Sequence, residues 1–255
     1  KKKGLRGKGI PSNVKDFIME KSQTSFYRNL SEIDEEEQDE NDSLELPKNI
    51  DWVENGAVTP VKNQGMCGAC WAFSAVAAIE GAKYVKSGKL VSLSEQQLLD
   101  CDLEDHSCLG GIMDYAFTYA EGIDGFCKEE DWPYAMHRHH IFGCRKFSSL
   151  CTVVPDTKLK SYIDVKNTTQ ALKHALVKQP VSVAIQASGT DFQLYKSGVY
   201  DKSCGTELDH GVTAVGYGYD EDTKSRYWLI KNSWGEAWGE SGYMKMSFKS
   251  ENQKD

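Results

Sequence analysis

Apolar positions along the chain change their spacing near Pro155, from a helical pattern before it to an alternating, strand-like pattern after it. The clearest helical stretch runs from Cys70 to Lys86. It is apolar on nearly every side, which predicts a helix buried inside the fold. Gly88, just beyond it, provides a suitable C-terminal stop.

Two shorter helices are predicted to follow in the first half. Ser94 can cap a helix that runs to about Asp100, because its hydroxyl can accept from the amide three positions on while Gln97 bonds back. A third helix is predicted over residues 112–121.

The second half begins with one more helix and then turns to strands. That helix is predicted over Thr169–Lys178, ending before Pro180. The predicted strands are Val181–Ala187, Gly211–Val215, Tyr227–Lys231 and Tyr243–Phe248. Helices followed by strands predict an α+β protein with a helical lobe over residues 47–155 and a strand-rich lobe over residues 156–255. A cleft between two lobes is a favoured place for a functional site.

Residues 1–46 have a different character from the rest. They contain the acidic block Glu32–Asp42, in which like charges repel, so the simplest interpretation is a solvated linker. A processing junction is the alternative interpretation.

Charge and hydropathy exclude two classes of partner. The 255-residue chain has 38 acidic and 30 basic residues, a net charge of −8, and no broad basic field to attract nucleic acid. No apolar run approaches the roughly 20 residues that span a bilayer, so no membrane partner is expected.

Cysteine content indicates an oxidising compartment. Eight cysteines in a chain of this size suggest cross-links over long loops. The potential glycosylation acceptor Asn167 fits the same compartment.

The pair Cys67-Gly-Ala-Cys70 allows three interpretations. It has the spacing of a dithiol oxidoreductase, although that spacing alone is a weak signal. As half of a zinc site it needs two further ligands, and no convincing second half is found. In the third interpretation Cys67 is structural, and Cys70, in the first turn of a helix, is a thiolate nucleophile favoured by the helix dipole.

A nucleophilic thiol needs a base and a group that orients the base. His210 stands at the edge of a predicted strand, and Asn232 stands at the end of another. Each alone is more often structural than catalytic. Their combination with Cys70, in this order and at these separations, favours nucleophilic catalysis.

From Leu46 to about Phe248 the sequence resembles the papain-like cysteine peptidases, most closely the cathepsin L branch. The resemblance rests on these sequence motifs: Asp51-Trp52, Gly56–Gln64, Cys67–Trp71, Leu93–Cys101, Cys108–Gly111, Trp132–Tyr134, Asp209-His210 and Lys231–Gly235. It implies a mainly helical lobe, an antiparallel β-barrel-like lobe and an active-site cleft between them.

The resemblance also implies a role for each catalytic candidate. Cys70 would be the nucleophile, His210 its base and later the acid, and Asn232 the group that orients the imidazole. Gln64 and the Cys70 backbone N–H would form the oxyanion hole, and Trp234 would shield the His210–Asn232 bond. The expected reaction is peptide hydrolysis through a thioester, with neither metal nor other cofactor.

For substrate binding, the resemblance points to an apolar pocket that prefers a hydrophobic side chain two residues before the scissile bond (P2). That pocket is expected to be lined by Ile112, Met113, Ala184 and Leu208. The full set of substrate-binding candidates is Gly110, Gly111, Ile112, Met113, Ala184, Leu208, Asp209 and Trp234. The backbones of Gly110 and Gly111 should pair with an extended substrate. His139-His140 is similar to the double-histidine loop of cathepsin B, but its insertion is shorter, so endopeptidase action is expected.

The family pattern pairs Cys67 with Cys108 and Cys101 with Cys144. Cys127 and Cys151 are additional and are predicted to bond to each other. Cys204 has no expected partner in this sequence.

Expected partners are polypeptide substrates and, as inhibitors, the protein's own propeptide or a cystatin-type protein, with the chain acting as a monomer. Residues 1–46 are expected to be the last part of a pro-segment. The expected location is the secretory pathway, in a lysosome-like or vacuolar compartment or, alternatively, outside the cell. A dithiol oxidoreductase and a non-catalytic peptide-binding protein remain the alternative functions.

Overall fold

The computed structural model describes residues 46–137, 144, 151–202 and 205–248. The helices in these ranges are α1 (Cys70–Ser87), α2 (Glu95–Cys101), a 3₁₀ turn (Ser107–Leu109), α3 (Met113–Gly122), α4 (Thr169–Lys178) and α5 (Thr190–Gln193). The strands are β1 (Ile50–Asp51), β2 (Val181–Ile185), β3 (Val199–Tyr200), β4 (His210–Asp220), β5 (Ser225–Lys231) and β6 (Tyr243–Ser247). The expectations for residues 1–45, His139-His140 and Cys204 fall outside the described residues.

The four predicted helices are found, with one local difference at the start of α2. Gly88 ends α1 in the left-handed conformation, as predicted, with φ 68°. Ser94 caps α2 by accepting from the Gln97 amide. The predicted return bond from Gln97 is wrong, because the Ser94 N–H donates to the Cys127 carbonyl and the Gln97 side chain accepts from the Cys127 N–H. Cys127 thus binds both groups of the predicted bond, the Ser94 N–H and the Gln97 side-chain oxygen.

The strands form one sheet in the order β1-β4-β5-β6-β3, with β2 also paired to β4. Every pairing is antiparallel except that of β3 with β6. β4 extends five residues beyond the predicted Val215, through a stretch that contains Gly216 and Gly218. At Gly216 a side chain would collide with the Ile50 carbonyl of β1, so glycine permits β1 to pair with β4 here. The same glycine weakens the strand pattern in the sequence.

Two groups of buried apolar side chains form the core. The first surrounds α1, α2 and α3 and includes Trp71, Leu98 and Phe126. The second lies against the sheet, and it includes Trp52, whose indole donates to the Leu176 carbonyl at 2.7 Å. Ile50, Trp52 and Ala57 belong to this second group, while the Asn55 carbonyl accepts from the Tyr84 hydroxyl of α1 at 2.9 Å. The boundary at residue 155 stays a prediction.

Three disulfides cross-link the described residues. They join Cys67 to Cys108, Cys101 to Cys144 and Cys127 to Cys151, with sequence separations of 41, 43 and 24. These are the three expected pairs. No helix within the described residues is both long enough and apolar enough to cross a membrane.

Ser74 connects the first part of α1 to the first part of β4. Its hydroxyl donates to the Val212 carbonyl at 2.6 Å and also contacts the Ser182 hydroxyl on β2. The Thr213 hydroxyl in turn donates to the Ser74 carbonyl at 3.4 Å. These contacts fix where the N-terminal end of α1 lies relative to the beginning of β4.

A buried charged network supports α1 from the other side. The Glu80 carboxylate accepts from the Thr59 hydroxyl at 2.6 Å, from the Leu93 N–H at 2.8 Å and from the Lys62 ammonium at 3.3 Å. The Lys62 ammonium also donates to Glu95 at 2.6 Å. One carboxylate therefore joins α1 to the segments on both sides of it.

We predict that Glu80→Ala destabilises the fold strongly, by about 3–5 kcal/mol, because it leaves the buried Lys62 charge without one of its partners. Lys86→Ala is the matched control on the same helix. It removes an ion pair with Asp156 whose side chains are 59% and 40% exposed, and it should cost less than about 1 kcal/mol. The free energy of unfolding in urea measures both, and similar losses in the two variants would contradict the prediction.

Candidate active site

Cys70 is the first residue of the 18-residue helix α1 and is partly exposed. Among the described cysteines, it is the one outside a disulfide. The first turn of α1 carries no acidic side chain. The thiol therefore lies beside the unpaired amides and the positive end of the helix dipole, with no acidic side chain of that turn next to it.

Gly211 lets the start of β4 approach Cys70 closely. A Cβ atom at this position would lie only 3.2 Å from the Cys70 carbonyl oxygen and 3.0 Å from the Met113 sulfur. A larger residue would force the strand and the helix apart. Because His210 directly precedes Gly211, the backbone of His210 lies beside the N-terminal end of α1.

Asn232 orients the imidazole of His210. The Nε2 atom donates to the Asn232 amide oxygen at 2.8 Å, and the Ser233 N–H donates to the same oxygen at 2.8 Å. This bond leaves Nδ1 as the ring nitrogen that can exchange a proton with a reacting group. The Trp234 ring lies over the imidazole, with centroids 4.8 Å apart.

His210 is buried, and burial lowers the pKa of its imidazole because the charged form loses solvation. The hydrogen bond to Asn232 and the nearby charge of Asp209 both act in the opposite direction and raise this pKa. The site thus contains the groups that support an imidazolium, but the net shift is downward.

The Gln64 side chain is held at both ends. Its Nε2 donates to the Cys67 carbonyl at 2.9 Å, and its Oε1 accepts from the Ser233 hydroxyl at 2.6 Å. The Gln64 backbone also donates to the Ser233 carbonyl and accepts from the Tyr134 hydroxyl, each at 2.8 Å. These bonds fix which end of the amide is nitrogen, and Nε2 carries a second hydrogen that can be donated to a ligand.

Gly110 and Gly111 lie at the surface next to the Cys67–Cys108 disulfide. Gly110 has a φ of 118°, which favours glycine, and open space where a side chain would stand. At Gly111 a Cβ would come within 2.8 Å of the Trp71 ring and would also collide with the Asp105 carboxylate. The backbone here is exposed on one side and packed tightly on the other, as an extended ligand requires.

The predicted apolar pocket residues come from both parts of the fold. Met113 touches Gly211, and Ala184 on β2 is the sheet partner of Gly211, so these two residues flank the same point. Ile112 and Leu208 are 47% and 65% exposed, so both side chains are accessible to a ligand.

Asp209, the last of the substrate-binding candidates, is exposed and accepts from the Ala187 N–H at 2.6 Å. Slight burial acts to raise the pKa of Asp209, but hydrogen bonds from Ala187 and Ser188 outweigh it and hold the pKa below its ordinary value. The group next to the imidazole is therefore a carboxylate at neutral pH.

Several supporting residues were not predicted. Ser233 and Tyr134 hold Gln64, and Ser74 holds α1 to β4. Ser233 and Tyr134 stand inside motifs used for the resemblance, but nothing in their spacing indicates their partners. Within the described ranges, no three His, Cys, Asp or Glu side chains are grouped so that they could hold a metal ion.

Comparisons with known proteins agree with this arrangement. The model of the papain family of cysteine proteases matches residues 46–255. Senescence-specific cysteine protease SAG12 of Arabidopsis thaliana is 53% identical over 202 residues, which are 79% of this chain and 56% of that protein. Cysteine endopeptidase RepA of Oryza sativa subsp. japonica is 49% identical over 207 residues, which are 80% of this chain and 53% of that protein. The chain thus spans about half the length of these curated relatives.

Solved structures give the same result. The cysteine protease CMS1MS2 of Carica candamarcensis, in complex with E-64, has a TM-score of 0.73 and 43% identity, covering 81% of this chain and 92% of that one. The bromelain protease of Ananas comosus, in complex with the E64 inhibitor, has a TM-score of 0.73 and 40% identity, with the same coverage. The proform of the ragweed pollen cysteine protease Amb a 11 has a TM-score of 0.68 and 41% identity, covering 80% of this chain and 60% of that one.

We predict that Asp209→Asn lowers the pKa of the His210 imidazole further, because it removes a charge that favours the imidazolium while an amide oxygen can still accept from the Ala187 N–H. Proton NMR titration of the imidazole measures the shift, which should shrink in high salt. Asp220→Asn is the control, since Asp220 lies at the opposite end of β4, about 33 Å away by strand geometry. An unchanged or raised pKa in Asp209→Asn would contradict the prediction.

Proposed function

Because the chain belongs to the papain family of cysteine proteases, we propose that it is a cysteine endopeptidase that hydrolyses peptide bonds through a thioester on Cys70. The observation that carries the proposal is the 2.8 Å hydrogen bond from His210 to Asn232, at the start of the strand whose Gly211 packs against the end of α1 that bears Cys70. A thiol at a helix N-terminus beside an oriented imidazole is an activated nucleophile.

Acylation uses the Cys70–His210 pair. His210 takes the thiol proton of Cys70, and the sulfur attacks the carbonyl carbon of the scissile bond, so that a C–S bond forms and the carbonyl oxygen becomes an anion. The C–N bond breaks as His210, now an imidazolium, gives its proton to the departing amine nitrogen. Asn232 keeps the ring aligned for this transfer through its bond to Nε2.

Gln64 stabilises the anion. Its second Nε2 hydrogen and the Cys70 N–H are the two donors, and the bonds from Gln64 to Cys67 and Ser233 hold the amide in place before the reaction begins. Such preorganisation matters because the loss of one oxyanion donor typically costs about 2.7–4 kcal/mol of barrier.

In deacylation His210 acts as a base again, now toward a water molecule. His210 takes a proton from water as the water oxygen attacks the thioester carbonyl, the C–S bond breaks, and the acid product leaves a thiolate on Cys70. Trp234, packed over the imidazole, shields the His210–Asn232 bond from water, which would otherwise compete for it.

Substrate binding is assigned to the two walls of the cleft. Gly110 and Gly111 pair with the extended substrate backbone, and Ile112, Met113, Ala184 and Leu208 receive a hydrophobic P2 side chain. The exposure of Ile112 and Leu208 and the meeting of Met113 and Ala184 at Gly211 support this assignment. Asp209, with its lowered pKa, supplies negative charge beside His210.

Partners and location follow from the same proposal. The substrates are polypeptides, and the inhibitors are the protein's own propeptide or a cystatin-type protein. The proform reported for Amb a 11 supports the assignment of residues 1–46 to a pro-segment. Three disulfides favour the secretory pathway, ending in a vacuolar or lysosome-like compartment or outside the cell.

Two other functions compete with the peptidase. A dithiol oxidoreductase would pair Cys67 with Cys70, but Cys67 is bonded to Cys108. A non-catalytic peptide-binding protein would have no need of the oriented imidazole at the N-terminal end of α1.

We predict that E-64 labels the protein stoichiometrically at Cys70, with complete loss of peptide cleavage, and that Cys70→Ala shows neither labelling nor cleavage. Gln64→Ala is the companion variant. It should still be labelled but should lose about 10²–10³-fold in kcat, because it lacks one oxyanion donor. Insulin reduction without peptidase activity would support the oxidoreductase, and neither activity would support the binding protein.

A second prediction concerns specificity. Among short fluorogenic peptides that differ only at P2, those with Leu or Phe should have a higher kcat/KM than those with Arg or Asp, because the cleft wall is apolar. Mass spectrometry of a longer peptide should show internal cuts. A preference for charged P2 residues would contradict the pocket, and dominant release of C-terminal dipeptides would contradict endopeptidase action.

A further inference from the structure

Two buried carboxyl groups lie directly behind the Gly110–Ile112 segment. Asp102 and Asp105 are 2% and 3% exposed. Asp105 Oδ1 accepts from the Ile112 N–H at 2.8 Å, and its carboxylate also fills the space behind Gly111. Asp105 is therefore the side chain that ties this exposed backbone to the body of the protein.

Asp102 shapes the loop from the other side. Its Oδ1 accepts from the Glu104 N–H at 3.0 Å and from the Asp105 N–H at 3.4 Å. The second oxygen of each acid, Asp102 Oδ2 and Asp105 Oδ2, is buried without a donor among the described residues. Each acid thus uses one oxygen for the backbone and has one oxygen left over.

The Asp105 N–H donates to the Asp102 carboxylate, so the two carboxyl groups lie on the same turn, each with a buried oxygen that has no hydrogen bond within the described residues. Two carboxylates cannot form a hydrogen bond with each other, because both are acceptors. A single proton between them would satisfy both leftover oxygens and would remove the repulsion between two buried charges.

We propose that Asp105 is a positioning residue for the substrate-binding segment Gly110–Ile112, and that it holds this segment through a proton shared with Asp102. The inference rests on the proposed function, in which that segment pairs with the substrate backbone. With the proton present, the pair is compact and the Asp105–Ile112 bond holds. Without it, Asp105 becomes a stronger acceptor for the Ile112 N–H, but the repulsion between two adjacent negative charges outweighs this gain and moves the acceptor away from Ile112.

The surroundings favour retention of this proton. Burial raises the pKa of Asp105 to about 7, and Asp102 and Asp114 add to the rise, while the Ile112 N–H opposes it. Asp114 lies on α3 and itself faces Asp164, while Tyr119 on α3 faces Asp102. Glu104 and His106 are the other titratable groups of the loop, and α1 contributes Trp71, which has no charge.

The sign of the pH effect follows from the raised pKa. A carboxyl group that keeps its proton better in the folded protein stabilises the fold fully below its ordinary pKa, and this contribution is lost as the pH rises through about 7. The segment should therefore be held firmly in acid and should loosen above neutral pH.

The test compares KM and kcat of the whole chain on one short peptide at a series of pH values. For the unmodified protein, KM should rise about two- to tenfold between about pH 6 and pH 8, as expected for the loss of one hydrogen bond. Asp105→Asn keeps an acceptor for Ile112 and gives Asp102 a permanent N–H donor, so its KM should stay flat. Its kcat should follow the same pH profile as the unmodified protein. Asp105→Ala should have the raised KM at every pH.

Asp102→Asn is the reciprocal variant and should also flatten the KM profile, because its amide donates to the Asp105 carboxylate. A KM profile of Asp105→Asn or Asp102→Asn that rises like that of the unmodified protein would overturn the proposal. So would an Asp105→Ala variant with unchanged KM and unchanged Ile112 protection.

Hydrogen exchange of the Ile112 amide separates failure of this proposal from failure of the proposed function. Protection of that amide should fall above about pH 7 in the unmodified protein but not in Asp105→Asn. If protection follows this pattern while KM does not, the proton pair exists and the segment does not bind substrate. If protection is the same in both proteins, the proton pair is refuted whatever the peptidase activity.

Discussion

The contact between the N-terminal end of α1 and the first residues of β4 is the constraint on which the rest of the site depends. Gly211 packs on the Cys70 carbonyl, and the Ser74 hydroxyl binds the Val212 carbonyl at 2.6 Å. Neither contact takes part in the proposed reaction. Together they set the separation between a helix from the first half of the chain, which begins with Cys70, and a strand from the second, which begins with His210. A small displacement here would separate thiol and imidazole while leaving both elements intact.

Gln64, the proposed oxyanion donor, depends on the same alignment, because its two anchors come from different halves of the chain. Cys67, just before α1, holds the nitrogen end of the Gln64 amide, and Ser233, just after β5, holds its oxygen end. The ion pairs of the half-buried Lys62 with the buried Glu80 and Glu95 hold the segment that leads into Gln64. These polar bonds fix the Gln64 side chain in one orientation. A proposed oxyanion donor must be in place before negative charge develops, and such fixed bonds provide this.

Sequence reasoning succeeded where a pattern is local and failed where a partner is distant. α1 was predictable because it is apolar on nearly every side and ends at Gly88, and α4 because it ends before Pro180. The length of β4 was missed because Gly216 weakens the strand pattern, although that glycine is what admits β1. The return bond of Gln97 was wrong because Cys127, 30 residues away, takes its place. Residue types and order pointed to Cys70, His210 and Asn232, whose catalytic roles stay a prediction. Ser233, Tyr134 and Asp105 act through contacts that no spacing in the sequence reveals.

The Cys67–Cys108 bond has a consequence for the conditions under which such a site can work. It joins the residue that anchors Gln64 to the segment that contains Gly110 and Gly111, so opening it would disturb both walls of the groove at once. The proposed activity requires that Cys70, three residues from Cys67, stays reduced, and an accessible thiol can be oxidised by peroxide. The surroundings must therefore be reducing enough to keep Cys70 a thiol and oxidising enough to keep the Cys67–Cys108 disulfide closed. The proposed activity is therefore expected only within a limited range of reduction potential of the surroundings.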